Sequence, residues 1–169
     1  MKDTAKVKGI AVVDKYKLRE GETEEELLRR IESGETKPYE SLTANNLWLT
    51  VGWTELLKII TGASTSLFDS TNAQIGVGSD ATAAATSQAD LIGGSTSYKG
   101  MVSGFPSTPA SGTVQFKSVF LTSEANFAWQ EAVIKNSVSG ICWNRYANSW
   151  GTKTSSEVWY LTATVGGAV

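Results

Sequence analysis

The sequence predicts a mainly β protein: an antiparallel β-sandwich or barrel with one leading helix and an N-terminal extended arm that contains a short helix. The first observation is a set of β-prone runs rich in Val, Phe, Trp and Tyr, separated by turn residues. These runs are 113–121, 127–135, 140–146 and 157–165. Strands at this spacing are typical of sandwiches and barrels. The buried core is expected to include Phe116, Phe120, Trp129 and Leu161.

The second observation is a sharp fall in charge along the chain. Residues 1–40 contain 9 Lys/Arg and 10 Asp/Glu, whereas residues 41–169 contain only 6 and 7. A dense mixture of charges is typical of a solvated segment. We therefore predict a charged N-terminal arm over residues 1–40 and a β-rich body domain over residues 41–169, with the boundary near Ser41.

Two local patterns organise the predicted arm. Residues 7–16 form a β-prone stretch with charged neighbours. Thr23 and Glu26 have the spacing of a capping box, which predicts a helix over 24–33 that ends at Gly34. The apolar stripe of this helix is narrow, so the helix needs another surface to lie on.

The leading helix is predicted over 45–61, and Gly62 stands at its C-terminal end. Its apolar face is made of Leu47, Val51, Leu56, Ile59 and Ile60. Residues 62–112 are rich in Ser, Thr, Ala and Gly, which predicts long loops with short strands at 73–77 and 98–102.

Composition restricts the chemistry. The chain has 169 residues, a net charge of −2, no histidine and a single cysteine, Cys142. Catalytic triads with histidine, imidazole metal sites and intrachain disulfides are therefore excluded. The net charge argues against a nucleic-acid partner. The apolar run at 56–60 is too short to span a bilayer, and no signal peptide is recognisable. We expect a soluble protein that is made in the cytoplasm, with no cofactor and no metal.

The residues that could carry chemistry have simpler structural interpretations. The glycine-rich segment 74–80 lacks the Gly-Lys-Ser/Thr of a nucleotide loop and is interpreted as a strand that ends in a turn. Asp80 and Asp90 are interpreted as cap or turn residues. Glu131 is expected to pair with Arg145.

Tryptophan is abundant, with six in the chain. Trp129, Trp143 and Trp159 lie in predicted strands and are assigned to the core. Trp48 and Trp53 are five residues apart on the predicted helix, so they cannot both face the body, and one is expected to face a partner. A sugar-binding surface is the alternative interpretation. Cys142 is interpreted as a small buried apolar residue.

Three segments, taken together, resemble a known group of proteins. They are Leu56-Leu57-Lys58-Ile59-Ile60-Thr61-Gly62 with Phe68-Asp69-Ser70-Thr71-Asn72-Ala73-Gln74-Ile75-Gly76-Val77-Gly78, then Glu124-Ala125-Asn126-Phe127-Ala128-Trp129-Gln130-Glu131, and Asn144-Arg145 with Gly151-Thr152-Lys153-Thr154. Their order over residues 45–165 resembles small virion structural proteins of tailed bacteriophages. A weaker likeness is to the N-terminal domain of tail-collar fibre proteins. The resemblance implies a β-sandwich located in a virion that catalyses nothing.

The resulting hypothesis is a capsid decoration (cement) protein, which forms a homo-oligomer or a multi-copy assembly and whose partners are the major capsid protein or neighbouring virion proteins. A tail or baseplate component is the alternative, and a carbohydrate-binding module is a minor one. The arm is expected to do the binding, so that a chain starting at Ser41 should fold but bind weakly. The residues expected to contact a partner are Val7, Ile10, Val12, Val13, Tyr16, Leu27, Leu28, Ile31 and Trp48.

Overall fold

The computed structural model describes residues 7–167 and consists of eight strands and two helices in that range. In chain order the elements are β1 (Val7–Lys17), α1 (Glu24–Glu32), β2 (Glu40–Trp48), α2 (Thr50–Ile60), β3 (Ala73–Gly78), β4 (Thr96–Gly100), β5 (Thr113–Phe120), β6 (Ala128–Asn136), β7 (Cys142–Thr152) and β8 (Glu157–Gly167). All paired strands are antiparallel, in the order β4-β3-β6-β7-β2-β1-β8-β5.

The sheet curls until its two edge strands, β4 and β5, approach each other. The Ser118 hydroxyl of β5 contacts the carbonyl oxygens of Lys99 and Gly100 in β4, at 3.1 and 2.9 Å. Just beyond β4, the Val102 amide donates to the Lys117 carbonyl at 2.9 Å. The result is a nearly closed, barrel-like sheet that largely removes the exposed edges of an open one. The mainly antiparallel β prediction is confirmed, whereas the sandwich is not.

The largest apolar side chains in the interior of this sheet are aromatic. Trp129 lies between Phe120 and Trp159, with ring centroids 4.8 Å away on each side in near-perpendicular arrangements. Such edge-to-face packing adds to the free energy gained by burial. The predicted core residues Phe116, Phe120, Trp129 and Leu161 are all at most 1% exposed, which confirms that assignment.

The N-terminal arm is not confirmed, because β1 lies inside the sheet between β2 and β8. Ala11 and Val13 are completely buried. Lys15 is also buried; its ammonium group bonds Glu40 at 2.5 Å and lies 4.5 Å above the Trp159 ring. Alternate residues of β1 therefore face the core, even though charges are frequent in this part of the sequence.

The segment around the predicted arm–body boundary also differs from expectation. β2 crosses Ser41 and pairs with β1 on one side and with β7 on the other. The leading helix consequently begins at Thr50 and not at residue 45. The sequence of β2 is mostly polar, so its residue pattern did not predict a strand. A strand that is paired on both sides needs few apolar residues when its outer face is open.

α1 has the predicted N-terminal cap and packs on the outside of the sheet. The Glu26 amide donates to the Thr23 hydroxyl at 3.3 Å, and the Thr23 amide donates to the Glu26 carboxylate at 2.8 Å. Leu27 is completely buried in a cluster with Val158 and Tyr160 of β8. The surface on which this helix depends is therefore the chain's own sheet.

Candidate interaction surface

Helix α2 contacts the sheet through Gly52. A Cβ atom on Gly52 would lie 2.3 Å from the Trp143 carbonyl oxygen and 2.4 Å from the Trp143 Cα. No side chain fits there, so the helix backbone rests directly on the start of β7. The Leu49 amide, which donates to the same Trp143 carbonyl at 3.2 Å, fixes the entry to the helix.

The other fully buried residue of α2 is an acid. Glu55 is 3% exposed, accepts a hydrogen bond from the Ser64 hydroxyl, and lies 3.9 Å from the Lys58 ammonium group. Leu56 and Ile59 are only partly buried. The helix thus directs Gly52 and Glu55 inward beside the partly buried Leu56 and Ile59, and further apolar residues lie on its outer side.

Four large apolar side chains of α2 are exposed, and Val51, at 37%, is the least exposed of them. Trp53 and Leu57 are each 46% exposed and Ile60 is 71% exposed. Their spacing of i, i+4 and i+7 places them in one row along the helix. We call these three residues the α2 stripe.

Aromatic packing holds the first residue of the stripe in place. The Trp53 ring meets Trp48 edge to face at 5.8 Å, and Trp48 meets Trp143 in the same manner at 5.0 Å. Trp143 in turn contacts Phe116 of the core at 5.7 Å. This continuous series of rings connects an exposed tryptophan to the interior of the sheet and restricts its side-chain rotamers.

A groove of about 570 Å³ lies beside this aromatic series. Trp48, Trp143, Val114 and Val165 supply its apolar lining, and residues 110–113 form part of its rim. The exposed apolar surface at this end of the sheet is therefore larger than the α2 stripe alone.

The predicted ion pair of Glu131 is confirmed. Its carboxylate lies 2.9 Å from Nε and Nη2 of Arg145, and neither side chain is exposed. The same carboxylate accepts hydrogen bonds from the Ile92 and Gly93 amides, the shorter at 2.7 Å from Gly93. The pair therefore fastens the 79–95 loop to the outer face of β6 and β7.

Asp90 forms a second anchor under this loop. It accepts hydrogen bonds from Tyr98, at 2.7 Å, and from Cys142, at 3.2 Å, and forms an ion pair with Lys135. Burial opposes ionisation of Asp90, but these hydrogen bonds outweigh it and lower the pKa of its carboxyl. Burial, together with the nearby Asp90, raises the pKa of the Cys142 thiol, so this completely buried cysteine lacks thiolate reactivity at neutral pH.

Two further carboxylates, Asp80 and Glu124, are also engaged in contacts. Asp80 accepts from the Thr82 amide at 2.7 Å, as expected for a turn residue. Glu124 pairs with Lys99 and accepts from the Leu121 amide at 2.9 Å. These contacts favour structural roles.

The glycine-rich segment forms the predicted strand, β3. Its glycines, however, are not needed for unusual backbone angles. A Cβ on Gly78 would lie 2.3 Å from a Glu131 carboxylate oxygen, so the glycine provides space for the buried ion pair.

Most of the residues predicted to bind a partner are buried or partly buried in the fold. Val13 and Leu27 are completely buried. Partly buried residues among them are Val12, Tyr16, Leu28, Ile31 and Trp48. Ile10 is 47% exposed, and the side chain of Val7 lies outside the described residues.

Sequence reasoning missed the α2 stripe. The prediction that one of Trp48 and Trp53 faces outward agrees with the structure, but Trp53, and not Trp48, is the more exposed residue. The available signal was a helix with apolar residues on all sides and a glycine at position 52. Periodicity alone could not show which side faces the sheet.

Comparisons with protein-family models, curated proteins and solved structures gave no match. Among residues 7–167, no group of three or more Cys, Asp or Glu side chains is arranged to hold a metal ion. Over the same range, neither helix is long and apolar enough to cross a membrane.

Proposed function

We propose that the protein is a non-enzymatic structural protein of a tailed-bacteriophage virion, a capsid decoration protein that binds neighbouring subunits through the α2 stripe. The observation that carries this proposal is the exposed row of apolar side chains on α2. A helix that buries Gly52 and Glu55 while exposing Trp53, Leu57 and Ile60 loses hydrophobic free energy in an isolated chain. Contact with another protein would recover it.

The chemistry of the surface supports a protein partner. Contiguous exposed apolar patches on soluble proteins commonly mark interaction sites. Tryptophan is enriched among the residues that dominate binding free energy, particularly when it is rigidly held. Trp53 meets both conditions, since Trp48 packs against its ring.

The assignment to a virion depends on the resemblance over residues 45–165. Within that region, the buried Glu131–Arg145 pair gives two of the matching positions a structural role. The binding role moves from residues 1–40 to α2, because β1 and α1 are occupied by contacts with their own sheet. A tail or baseplate component remains the alternative location.

Quantitative mass spectrometry of purified particles tests this proposal. A decoration protein should be present in a fixed ratio to the major capsid protein, so its copy number should scale with the number of shell subunits. A small number of copies per particle would instead identify a tail or baseplate component. Absence from purified particles would contradict both locations.

A further inference from the structure

We propose that Lys153 and Asn126 become joined by an amide bond within the folded chain. The amine nitrogen Nζ of Lys153 bonds to the side-chain carbon Cγ of Asn126, and the bond between this carbon and Nδ2 breaks. The Asn126 amide nitrogen leaves as ammonia. The reaction involves no residue of α2, and the inference holds whether or not the chain belongs to a virion.

Lys153 is a buried cation whose hydrogen-bond partners are neutral oxygen atoms. The residue is 1% exposed, and Nζ donates to the Leu121 carbonyl at 2.6 Å and to Asn126 Oδ1 at 2.9 Å. None of the ion pairs among residues 7–167 includes Lys153. A buried charge without an ion-pair partner is costly, and formation of an amide removes that charge.

The contact with Asn126 places the amine beside the carbon that it attacks. This carbon lies one C=O bond of about 1.2 Å beyond Oδ1, so it is within about 4.1 Å of Nζ. Asn126 Nδ2 donates to the Thr122 carbonyl at 2.8 Å, which fixes the orientation of the carboxamide. A movement of about 1 Å by the flexible lysine side chain brings the two reacting atoms to the separation of about 3–3.5 Å required for attack.

The backbone around the two residues maintains this arrangement. The Lys153 amide donates to the Phe127 carbonyl at 3.1 Å, and the Trp129 indole donates to the Ala125 carbonyl at 2.9 Å. Ala125, which precedes Asn126, has a φ of +50°, a conformation that alanine rarely adopts. Such strain persists only where the surrounding structure imposes it. The loop is therefore pre-organised to present Asn126 to Lys153.

The proton transfers require only water. Burial lowers the pKa of Lys153 to about 8, against the opposing effect of three nearby carboxylates, so a neutral amine is available in mildly alkaline solution. Asn126 is exposed, so water carries the proton from the attacking nitrogen to the departing one and removes the ammonia. The Lys153 amine titrates only in the unreacted chain, because the amide that replaces it carries no charge.

Intact-mass spectrometry of the folded full chain tests the inference. After incubation above the Lys153 pKa of about 8, the mass should be lower than that of the sequence by one molecule of ammonia. Protease digestion should then yield a product in which the peptides containing Lys153 and Asn126 are joined. The same chain held unfolded in denaturant at the same pH should keep its full mass, because the contact is lost. A folded chain that keeps its full mass overturns the inference.

Two variants separate this bond from ammonia lost when an asparagine cyclises onto its own backbone. Lys153→Arg keeps the positive charge but has no nucleophilic amine, because its guanidinium stays protonated. Asn126→Ala removes the carboxamide at an exposed position, so it also serves where Lys153→Arg fails to fold. Neither variant should lose ammonia, whereas Asn45→Ala, a control at another exposed asparagine, should react like the wild type. An ammonia loss that persists in either of the two variants contradicts the proposed bond.

Discussion

Glu131 and Arg145 form an ion pair from which solvent is completely excluded, with 2.9 Å between Oε2 and Nη2. Two neighbouring strands provide the two side chains, and the 79–95 loop covers them. Arg145 also donates from Nη1 to the Thr82 carbonyl at 2.8 Å, while Glu131 accepts from the Gly93 amide at 2.7 Å. This pair therefore holds both ends of the loop, near Thr82 and near Gly93, against the sheet.

Replacing Arg145 with methionine should destabilise the protein strongly. The substitution leaves the Glu131 carboxylate buried without its cation, and breaking a buried pair in this way typically costs about 3–5 kcal/mol. Chemical denaturation measures the loss. The control is Lys99→Met, since the Lys99–Glu124 pair is about one-third exposed and should contribute less than about 1 kcal/mol. Equal effects of the two substitutions would be inconsistent with a buried anchor.

Gly52→Ala should destabilise the protein and displace α2. Alanine is the better helix former, by about 1 kcal/mol. The added Cβ would nevertheless collide with Trp143 backbone atoms at 2.3–2.4 Å, and overpacking of this kind costs about 1–3 kcal/mol. Gly100→Ala is the control, because a Cβ atom added there would have open space around it, with no atom beyond its chain neighbours within 4 Å. Thermal unfolding and tryptophan fluorescence report on the change; a stabilised Gly52→Ala variant would show that α2 does not rest on β7.

A chain that begins at Ser41 should fail to fold. It lacks β1, which pairs from Val7 to Lys17 with β8 and also pairs with β2. It also leaves two strand edges open in the middle of the sheet, and such edges favour aggregation. Circular dichroism and a thermal melt test this prediction. A cooperative unfolding transition for residues 41–169 would restore the interpretation of residues 1–40 as a separable arm.

Lys153 should make stability rise with pH in the mildly alkaline range. It is 1% exposed, and its ammonium group donates to the Leu121 carbonyl at 2.6 Å and to the Asn126 side-chain oxygen at 2.9 Å. Burial lowers the pKa of Lys153 to about 8 from the usual 10.5. Between these values the unfolded chain binds more protons than the folded one, so the free energy of unfolding increases with pH.

Denaturation of the wild type and of Lys153→Met at several pH values between 8 and 10 isolates this contribution. The stability of the wild type relative to the variant should increase across the interval. A difference that stays constant or decreases would show that Lys153 remains charged in the folded protein. Burial also raises the pKa of Tyr98 and Tyr146, which lowers stability from about pH 9 upward, where unfolded tyrosine begins to ionise, but this affects both proteins alike.

Local sequence patterns predicted the strands of the C-terminal half and the capping box of α1, because these features depend on neighbouring residues. The placement of β1 depends instead on distant partners. Averaging charge over residues 1–40 concealed the alternation of Ala11, Val13 and Lys15, all of which face the core. The inward orientation of α2 depends on the fit of Gly52 against Trp143, a contact between residues 91 positions apart in the sequence. The hydrophobic periodicity of one segment cannot predict contacts between residues that are so far apart in the sequence.

The most direct test of the central claim is a high-resolution density map of an intact particle. The α2 stripe should be found repeatedly on the virion, with Trp53, Leu57 and Ile60 buried against a protein surface. A particle that lacks this protein would contradict the proposed virion role, and so would a particle in which the protein is present and the α2 stripe faces solvent.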